Sequence, residues 1–470
     1  MRKSAIICLL LCLTLLTQLF VLPVSAADMS VSGGSHSINA AIPLSESKKL
    51  LKTSKAVILY ELNSDTMVYS WNPDEKIYPA SMVKLMTAIV ALEYGTLTDT
   101  VVVTKSALNV IAGKGSVVVD LVAGEELTLE ALLYCMMVPS ANDAACVIAE
   151  HIAGSQEAFV ALMNQKAQEL GCTGTNYTNV HGLHDKEMVT TARDICRILE
   201  YGLENETFEA MFTAKTYTVP ATDMSDERLI ETSNYMMSTD YTSKFYDERV
   251  TGGKTGSTDK AGRCLAITAE ANGMKLLGLV MGAKPTYAEE GIVLQTHGNF
   301  EEMKVLLDYA CDGFEYRQIF YANQALKQYP VSGGANDIVT QPVAELSTVL
   351  PIGVDETKLK WIYGDAISGL KAPVEKGQVV SDVQVWYENI CLAQTDLVAA
   401  NRVDTFQQPA PSDSVNDSDG DSSTVWLIIG IVLGAVALAV AALFVLRAVS
   451  AAKMRRRRQR RRRDRRRNLQ

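Results

Sequence analysis

The sequence has few of the residues from which disulfide scaffolds and zinc sites are built. It contains five histidines and nine cysteines, and no cysteines show the paired Cys-x-x-Cys spacing with histidines that is typical of a structural zinc site. Cys8 and Cys12 fall in an N-terminal apolar run, and the seven that remain are an odd number that cannot all pair within one exported chain. We therefore expect no disulfide framework, no metal site and no cofactor, and we expect most of the cysteines to be small buried apolar residues.

The sequence also lacks a Gly-x-Ser-x-Gly motif, which excludes the hydrolases that build a Ser-His-Asp triad on such an elbow. It has instead three short motifs in one order, Ser81-Met82-Val83-Lys84, Ser140-Ala141-Asn142 and Lys254-Thr255-Gly256. Ser-x-x-Lys and Ser-x-Asn recur elsewhere in the chain, but Lys-Thr-Gly occurs once. The ordered triple therefore predicts a serine acyl-transfer site.

Both ends of the chain carry apolar runs. Residues 1–26 are typical of a secretory signal peptide, with Arg2 and Lys3 before an apolar stretch that ends in small residues, and an uncleaved membrane anchor is the alternative. Residues 425–446 are 22 positions without a charge, which at about 1.5 Å per residue can cross a hydrocarbon core of roughly 30 Å as a transmembrane helix. Residues 447–470 form an Arg-rich tail with a net charge of +12. Because positive charge stays inside, we expect a single-pass protein with a cytoplasmic tail and an extracytoplasmic body.

The charge of the chain is divided unevenly. The formal net charge is −10, and without the tail and the two basic residues of the signal, residues 27–446 carry −24. A net charge of −24 on residues 27–446 would repel the phosphates of a nucleic acid, so we expect no nucleic-acid partner. The tail is expected to stop transfer and to contact lipid headgroups, with nucleic-acid binding as the alternative.

The exported part indicates two domains, since roughly 400 residues are too many for one ordinary core. Residues 38–312 begin and end with strand-like segments around a helical middle, which predicts an α+β domain whose antiparallel sheet is closed by its N- and C-terminal strands. Residues 313–406 hold short β-type runs with Gly and Pro between them, which predicts a small all-β domain, a β-sandwich. Residues 407–424 are rich in Pro, Ser, Asp and Asn and are expected to be a flexible linker.

Ser81 is the candidate nucleophile. It precedes apolar residues at helical spacing, so we expect it at a helix N-terminus with Lys84 one turn later on the same side. A serine hydroxyl needs a neighbour to take its proton, and a lysine desolvated near other cations loses enough pKa to do so. An isolated Ser-x-x-Lys would indicate a helix-capping Ser beside a solvated Lys, but the two other motifs favour catalysis.

The second motif supplies candidate partners for Lys84. It lies between two apolar, helix-compatible runs, so we expect a turn between helices. Ser140 is the candidate for a proton relay between Lys84 and the leaving amine, and Asn142 for holding Lys84 and binding a substrate amide. A local capping turn is the alternative.

The third motif supplies candidate substrate contacts. It precedes Ala261–Ala271, which we predict to be an edge strand along which an acyl-peptide lies antiparallel. Lys254 is expected to supply positive potential, Thr255 a hydroxyl for a terminal carboxylate, and Gly256 room for close approach. The backbone N–H groups of Ser81 and Ser257 are candidate oxyanion donors, and a solvated turn is the alternative.

The three motifs resemble those of the serine D-alanyl-D-alanine carboxypeptidases, the low-molecular-mass penicillin-binding proteins. The resemblance runs from about residue 38 to 406 and is carried by Tyr78–Ala88, Met137–Ala144 and Lys254–Thr258. It implies a penicillin-recognising fold, an antiparallel sheet flanked by helices beside a helical subdomain, with a β-rich domain after it.

The same resemblance implies a transpeptidase-like enzyme of the bacterial cell membrane that needs no cofactor. Such enzymes remove the terminal D-alanine from peptidoglycan pentapeptide stems through an acyl-enzyme, here on Ser81, and β-lactams trap them at the same serine. Asn179–Leu183 resembles a family loop at the cleft, which leaves His181 as a structural or a catalytic residue. The role of Arg263, in the strand after Lys-Thr-Gly, stays open.

Two other functions compete with the carboxypeptidase. A β-lactamase needs a base for rapid deacylation, and the region after Asn142 offers His181 and Asp185 but no clear Glu-x-x-x-Asn loop. A non-hydrolytic penicillin sensor or wall-binding protein would need a cytoplasmic signalling segment, and the Arg-rich tail is too short to fold.

We predict that a chain ending at Thr424 is a soluble, active enzyme, because it lacks the uncharged run and the positive tail that follow. Fractionation of cells that express the full or the truncated chain measures how each chain divides between the soluble and membrane fractions. Protease added outside intact cells should leave the tail of the full chain intact. Recovery of the truncated chain in the membrane fraction would show that residues 425–446 are not the main anchor.

Overall fold

The protein is described here by a computed structural model, which covers residues 50–238, 243–284 and 298–407. The described part of the N-terminal domain begins with two strands, continues through a largely helical middle segment, and ends with five successive strands and a helix. In order they are β1 (Ala56–Glu61), β2 (Thr66–Trp71), α1 (Val83–Tyr94), β3 (Thr100–Val102), α2 (Lys105–Ile111), β4 (Glu126–Thr128), α3 (Leu129–Met137), α4 (Asn142–Ala153), α5 (Gln156–Glu169), α6 (Ala192–Leu203), α7 (Glu206–Thr213), β5 (Thr216–Val219), β6 (Arg228–Glu231), β7 (Val250–Thr258), β8 (Gly262–Ala271), β9 (Met274–Ala283) and α8 (Gly298–Gly313).

A five-stranded antiparallel sheet with the order β2-β1-β9-β8-β7 organises this domain. The first strand pairs with the last, with Ala56 opposite Met281 and Glu61 opposite Leu276. The predicted closure of the sheet by the N- and C-terminal segments is therefore confirmed. Helices cover both faces, since one buried cluster joins the sheet to α1 and the other helices of the middle segment, and a second joins it to α8.

Helix α1 is buried on all sides, which fixes its position against the sheet. Its first nine residues, Val83 to Ala91, are all buried, and they include the polar residues Lys84 and Thr87. A helix that is enclosed in this way must satisfy its polar side chains internally. The Thr87 hydroxyl accordingly donates to the backbone carbonyl of Val180, at 2.8 Å.

The edge of the sheet differs from the sequence prediction. One of the two outer strands of the sheet is β7, which contains Lys254-Thr255-Gly256 itself, whereas β8 lies between β7 and β9. The expectation that Ala261–Ala271 forms the edge strand was therefore wrong, and so was the alternative of a solvated turn at Lys-Thr-Gly. The sequence does not indicate a strand at β7, because β7 contains three glycines and glycine has a low strand propensity.

The C-terminal part of the described chain is all-β, as predicted. Its two sheets have the orders β10-β13 and β11-β12-β16-β15-β14, and both contribute to the buried cluster that also covers α8. The strands are β10 (Phe314–Phe320), β11 (Gln328–Tyr329), β12 (Ile338–Pro342), β13 (Leu346–Pro351), β14 (Leu359–Tyr363), β15 (Val379–Tyr387) and β16 (Ile390–Ala399).

Several sequence predictions fall outside the described residues. They are the signal peptide 1–26, nearly all of the linker 407–424, the transmembrane helix 425–446 and the tail 447–470. Among the helices of the described ranges, none is both long and apolar enough to cross a membrane. The seven cysteines from Cys135 to Cys391 are all described and all free, and five of them are buried.

Candidate active site

Ser81 stands at the entry to α1, as the sequence predicts. It lies in a single 3-10 turn, Ala80–Met82, that leads directly into the helix. Ala80 takes a positive φ of 48°, so the chain turns sharply just before the serine. Two glycines make room for this turn. A side chain on Gly182 would lie 2.1 Å from the Ala80 carbonyl oxygen, and one on Gly256 would lie 3.0 Å from the Ser81 nitrogen.

Lys84 is completely buried and contacts three oxygen atoms. Its Nζ lies 3.1 Å from Ser81 Oγ, 2.5 Å from Asn142 Oδ1 and 2.6 Å from the backbone carbonyl oxygen of His181. Asn142 and His181 present carbonyl oxygens, which only accept hydrogen bonds, whereas the serine hydroxyl can also donate. A neutral amine has two N–H donors and one lone pair, so this environment matches an uncharged Lys84 that accepts the proton of Ser81.

The electrostatics of the site agree with that geometry. Desolvation by burial lowers the pKa of Lys84 from 10.5 to about 7, against the smaller opposing influence of Cys146 and Asp143. A substantial fraction of Lys84 is therefore neutral at physiological pH. This is the protonation state that a general base needs.

The loop that follows Tyr177 holds the His181 carbonyl in place. Asn179 Oδ1 accepts from the Gly182 N–H at 2.7 Å, and Gly182 has a φ of 91°. The imidazole of His181 points back into its own loop, where Nδ1 accepts from the Leu183 N–H at 3.1 Å. Burial, with Lys84 and Lys114 nearby, lowers the pKa of His181 to about 3, so the ring stays neutral. His181 thus contacts Lys84 through its backbone, not through its imidazole.

Ser140 lies in a turn between α3 and α4, as the sequence predicts. Asn142 is the first residue of α4 and is buried against Lys84. Ser140 has a φ of 73°, and its buried Oγ has no hydrogen-bond partner within the described residues. Ser140 and Ser81 line the same cavity. An unpaired buried hydroxyl is costly, which suits a group that acts on a ligand.

The Lys-Thr-Gly motif splits between the interior and the cavity. Thr255 and Gly256 line the cavity, whereas Lys254 is buried and does not. The Nζ of Lys254 donates to the Thr255 carbonyl at 3.1 Å. Burial, followed by the charge of Lys84, lowers the pKa of Lys254 well below its usual value. Lys254 thus lies behind the cavity wall, and its expected role of supplying positive potential to the substrate stays a prediction.

Ser233 is a member of the site that the sequence did not predict. Its Oγ lies 2.6 Å from Thr255 Oγ1, and its backbone N–H donates to the carbonyl of Val138. No short motif marks it, because its place depends on a loop that crosses from β6 to the sheet edge.

The described side chains enclose a cavity of about 320 Å³ at the edge of β7. The cavity is open to solvent at Ser257 and Tyr235, which are both exposed. Apart from one arginine, its lining is uncharged. The lining residues are Ser81, Val117, Pro139, Ser140, Ser233, Tyr235, Thr255, Gly256, Ser257, Arg263, Asn299 and Phe300.

Comparison with known proteins assigns the chain to a family. A family model described as D-alanyl-D-alanine carboxypeptidase matches residues 44–285, and a model of the C-terminal domain of penicillin-binding protein 5 matches residues 314–405. The chain belongs to the D-alanyl-D-alanine carboxypeptidase family. The predicted resemblance is therefore confirmed.

Relatives within this family extend over both described domains. The chain is 31% identical over 362 residues to the D-alanyl-D-alanine carboxypeptidase DacC of Escherichia coli, which covers 75% of this chain and 84% of that protein. It is 29% identical over 364 residues to DacF of Bacillus subtilis, with coverage of 75% and 86%. The structure of penicillin binding protein 5 from Haemophilus influenzae aligns with a TM-score of 0.59 at 27% identity, over 75% of this chain and 98% of that one.

We predict that Gly182→Ala slows acylation of Ser81 and lowers the melting temperature. The new methyl group would collide with the Ala80 carbonyl. Alanine would also have to adopt the left-handed φ of Gly182, and this backbone strain alone costs about 1–3 kcal/mol. Gly154→Ala is the matched control, because Gly154 has a φ of 76° with open space around it. The rate of labelling by a fluorescent penicillin should fall in the first variant only. Equal labelling rates in the two variants would contradict the role given to Gly182.

We predict that kcat/KM rises with pH through about pH 7, because only neutral Lys84 accepts the serine proton. Below that midpoint, the rate should fall about tenfold for each pH unit as the amine becomes protonated. A midpoint near 7 would ordinarily indicate histidine, so His181→Asn is the control. Its pKa of about 3 and its backbone contact with Lys84 mean that the midpoint should stay in place. Loss of the pH dependence in His181→Asn would exclude Lys84 as the titrating group.

Proposed function

We propose that this protein is a serine-type D-alanyl-D-alanine carboxypeptidase that releases the terminal D-alanine from peptidoglycan pentapeptide stems. The observation that carries the proposal is the contact of Ser81 Oγ with a buried Lys84 whose other two contacts are carbonyl oxygens. The family membership and the named relatives support the same activity.

The substrate lies along the open edge of β7. An extended peptide pairs with an edge strand through main-chain hydrogen bonds, and the sheet order leaves β7 with one unpaired side within the described residues. The close approach of Gly256 to the Ser81 nitrogen brings two backbone segments together at the reacting carbonyl. The N–H groups of Ser81 and Ser257 serve there as oxyanion donors.

Acylation begins when Ser81 Oγ attacks the carbonyl carbon of the penultimate D-alanine and its proton passes to Lys84 Nζ. The tetrahedral intermediate collapses as the C–N bond breaks. The leaving nitrogen of D-alanine takes a proton from Ser140 Oγ, which is replenished from Lys84. The absence of a competing partner for Ser140 Oγ in the described residues supports this relay.

Deacylation reverses the roles of these groups. A water molecule attacks the ester carbonyl and gives a proton to Lys84, and Ser81 Oγ leaves with a proton returned to it. A β-lactam follows the same first step, but its ring opens without releasing a fragment. The tethered portion stays in the cavity and blocks water, so the adduct on Ser81 persists.

The proposed location is the outer face of the bacterial cell membrane, with residues 425–446 as the anchor. The uncharged run and the net charge of +12 that follows it support this arrangement. The strongly acidic body supports a partner other than nucleic acid.

We predict that Ser81→Ala abolishes both D-alanine release and the covalent penicillin adduct while the fold persists, since the substitution removes only the nucleophile. Lys84→Ala should slow acylation by roughly 10³-fold or more. Mass spectrometry after incubation with a pentapeptide stem and with penicillin measures both products, and circular dichroism monitors the fold.

The matched control is Ser368→Ala, which removes the serine of another Ser-x-x-Lys sequence, exposed in the β domain. It should retain both activities. Rapid turnover of penicillin without D-alanine release by the unmodified protein would support a β-lactamase instead. A stable adduct without any D-alanine release would support a penicillin sensor.

A further inference from the structure

We propose that Asp143 is a positioning residue that acts through Lys84, because its fixed negative charge stabilises the protonated lysine that each acyl transfer creates. The inference rests on the proposed function and adds a residue to it. Lys84 receives the proton of Ser81 in a completely buried position, so a positive charge forms where water does not solvate it. A buried charge is costly without a counter-charge, so a fixed negative group near Lys84 lowers the barrier to this proton transfer.

Backbone N–H groups hold the carboxylate of Asp143. The side chain is 2% exposed, lies in the first turn of α4 and forms no ion pair within the described residues. Its Oδ2 accepts from the N–H groups of Val119 and Leu121, at 3.1 and 3.2 Å, and its Oδ1 accepts from the N–H of Ala144 at 2.9 Å. Both oxygens therefore accept, which is the pattern of an ionised carboxylate, since a protonated carboxyl would also have to donate.

The surroundings favour the ionised form of this carboxylate. Burial raises the pKa of Asp143, but the hydrogen bonds from Leu121, Ala144 and Val119 oppose that rise. The N-terminus of α4 adds a partial positive charge at the same place. A carboxylate that is bound in this way stays negative without a neighbouring cation, so its charge is free to act on a more distant one.

The same hydrogen bonds fix the carboxylate relative to Lys84. Asp143 directly follows Asn142, whose Oδ1 lies 2.5 Å from Lys84 Nζ. The backbone N–H of Asn142 donates to the Val117 carbonyl at 2.8 Å. Residues 117–121 are thus joined to the first turn of α4 by bonds to both residues. The negative charge therefore stays in place when Lys84 changes its protonation state.

The other titratable groups around Lys84 carry no negative charge at neutral pH. Burial raises the pKa of Cys146, on the same helix, to about 12, so its thiol stays neutral. The imidazole of His181 is also neutral, and Lys254 is a base. Asp143 is therefore the acid whose charge favours protonated Lys84, and it opposes the lowering of the pKa of Lys84 by burial.

The groups farther from Lys84 do not replace this charge. Lys114, which acts on His181 and Cys146, is exposed and positive. Burial raises the pKa of Cys135 to about 12, so this thiol is neutral as well. Arg228 and Glu125 form an ion pair, in which opposite charges offset each other.

Loss of the Asp143 charge should change both the titration and the strength of the base. Protonated Lys84 would be less stable, so its pKa would fall below the value of about 7 that it has beside Asp143. The neutral amine would then persist to lower pH, but it would be a weaker base toward Ser81. The pH midpoint of kcat/KM should therefore fall, together with the plateau at high pH. A purely structural defect would lower the plateau and leave the midpoint in place.

The test compares the pH profiles of Asp143→Asn and the unmodified protein, with a stem pentapeptide as substrate. The midpoint should fall by about one pH unit, a usual size for the effect of one nearby charge. The plateau should fall about three- to tenfold, because the base is weaker. The variant should thus be most impaired above the midpoint of the unmodified protein and least impaired below it. An unchanged midpoint would overturn the proposal.

Two controls separate the charge from the hydrogen bonds. Asp120→Asn removes a negative charge from an exposed position in residues 117–121, and asparagine tolerates the positive φ of 56° there, so midpoint and plateau should both persist. Asp143→Glu and Asp143→Gln have side chains of equal length that disturb the hydrogen bonds alike and differ in charge. The midpoint should be lower in Asp143→Gln than in Asp143→Glu, and equal midpoints would also refute the role of the charge. Melting curves verify that each variant is folded.

A second readout keeps the test independent of D-alanine release. Formation of the penicillin adduct on Ser81 requires the same proton transfer to Lys84, and mass spectrometry can follow its rate over the same pH range. A protein that releases no D-alanine, but whose acylation midpoint falls in Asp143→Asn, would refute the carboxypeptidase and leave the role of Asp143 intact. D-alanine release with the same acylation midpoint in both proteins would refute the role of Asp143 alone.

Discussion

The burial of Lys84 is the constraint on which the rest of the active site depends. Lowering the pKa of a lysine from 10.5 to about 7 costs on the order of 5 kcal/mol of folding stability. The unfolded chain binds the proton more tightly, so this cost is complete below about pH 7 and diminishes as the pH rises toward 10.5. The surrounding fold must offset it, and α1, which is enclosed on every side, is the element that does so. Lys84 lies in the first turn of this helix, and Ser81 lies in the 3-10 turn that leads into it.

The second constraint on the site is the close approach of three backbone segments. Ser81, the loop at Gly182 and the edge strand at Gly256 meet where no side chain would fit between them. Each segment comes from a different part of the sequence, and each presents a main-chain group to the others. The polar side chains differ in burial, since Lys84 and Lys254 lie in the interior, whereas the hydroxyl-bearing residues Ser81, Thr255 and Ser257 line the cavity. Precise placement of the reacting groups follows from this packing of backbone against backbone.

Sequence reasoning succeeded where residues carry their chemistry in a local pattern. The position of Ser81 before a helix, the contact of Lys84 with Asn142 and the closure of the sheet by its terminal strands all follow from spacing and periodicity. Sequence reasoning did not predict β7 as a strand, because two consecutive glycines, Gly252 and Gly253, are typical of a turn. They are there because Phe212 and Asn234 pack directly on the strand. Ser233 and the orientation of Arg263 could not be predicted either, since both depend on which residues the fold brings opposite one another.

The pairing of β1 with β9 has a consequence for when the enzyme becomes active. Strand β1 leaves the ribosome early, but the partner that completes the sheet around it comes from the other end of the domain. Contacts of such long sequence separation form slowly, and they require the whole intervening chain. The same late segment contains Thr255 and Gly256, so a partly synthesised chain contains Ser81 without the edge strand that lines the cavity. An unfinished chain therefore has no assembled active site, and the site forms only when the sheet is complete.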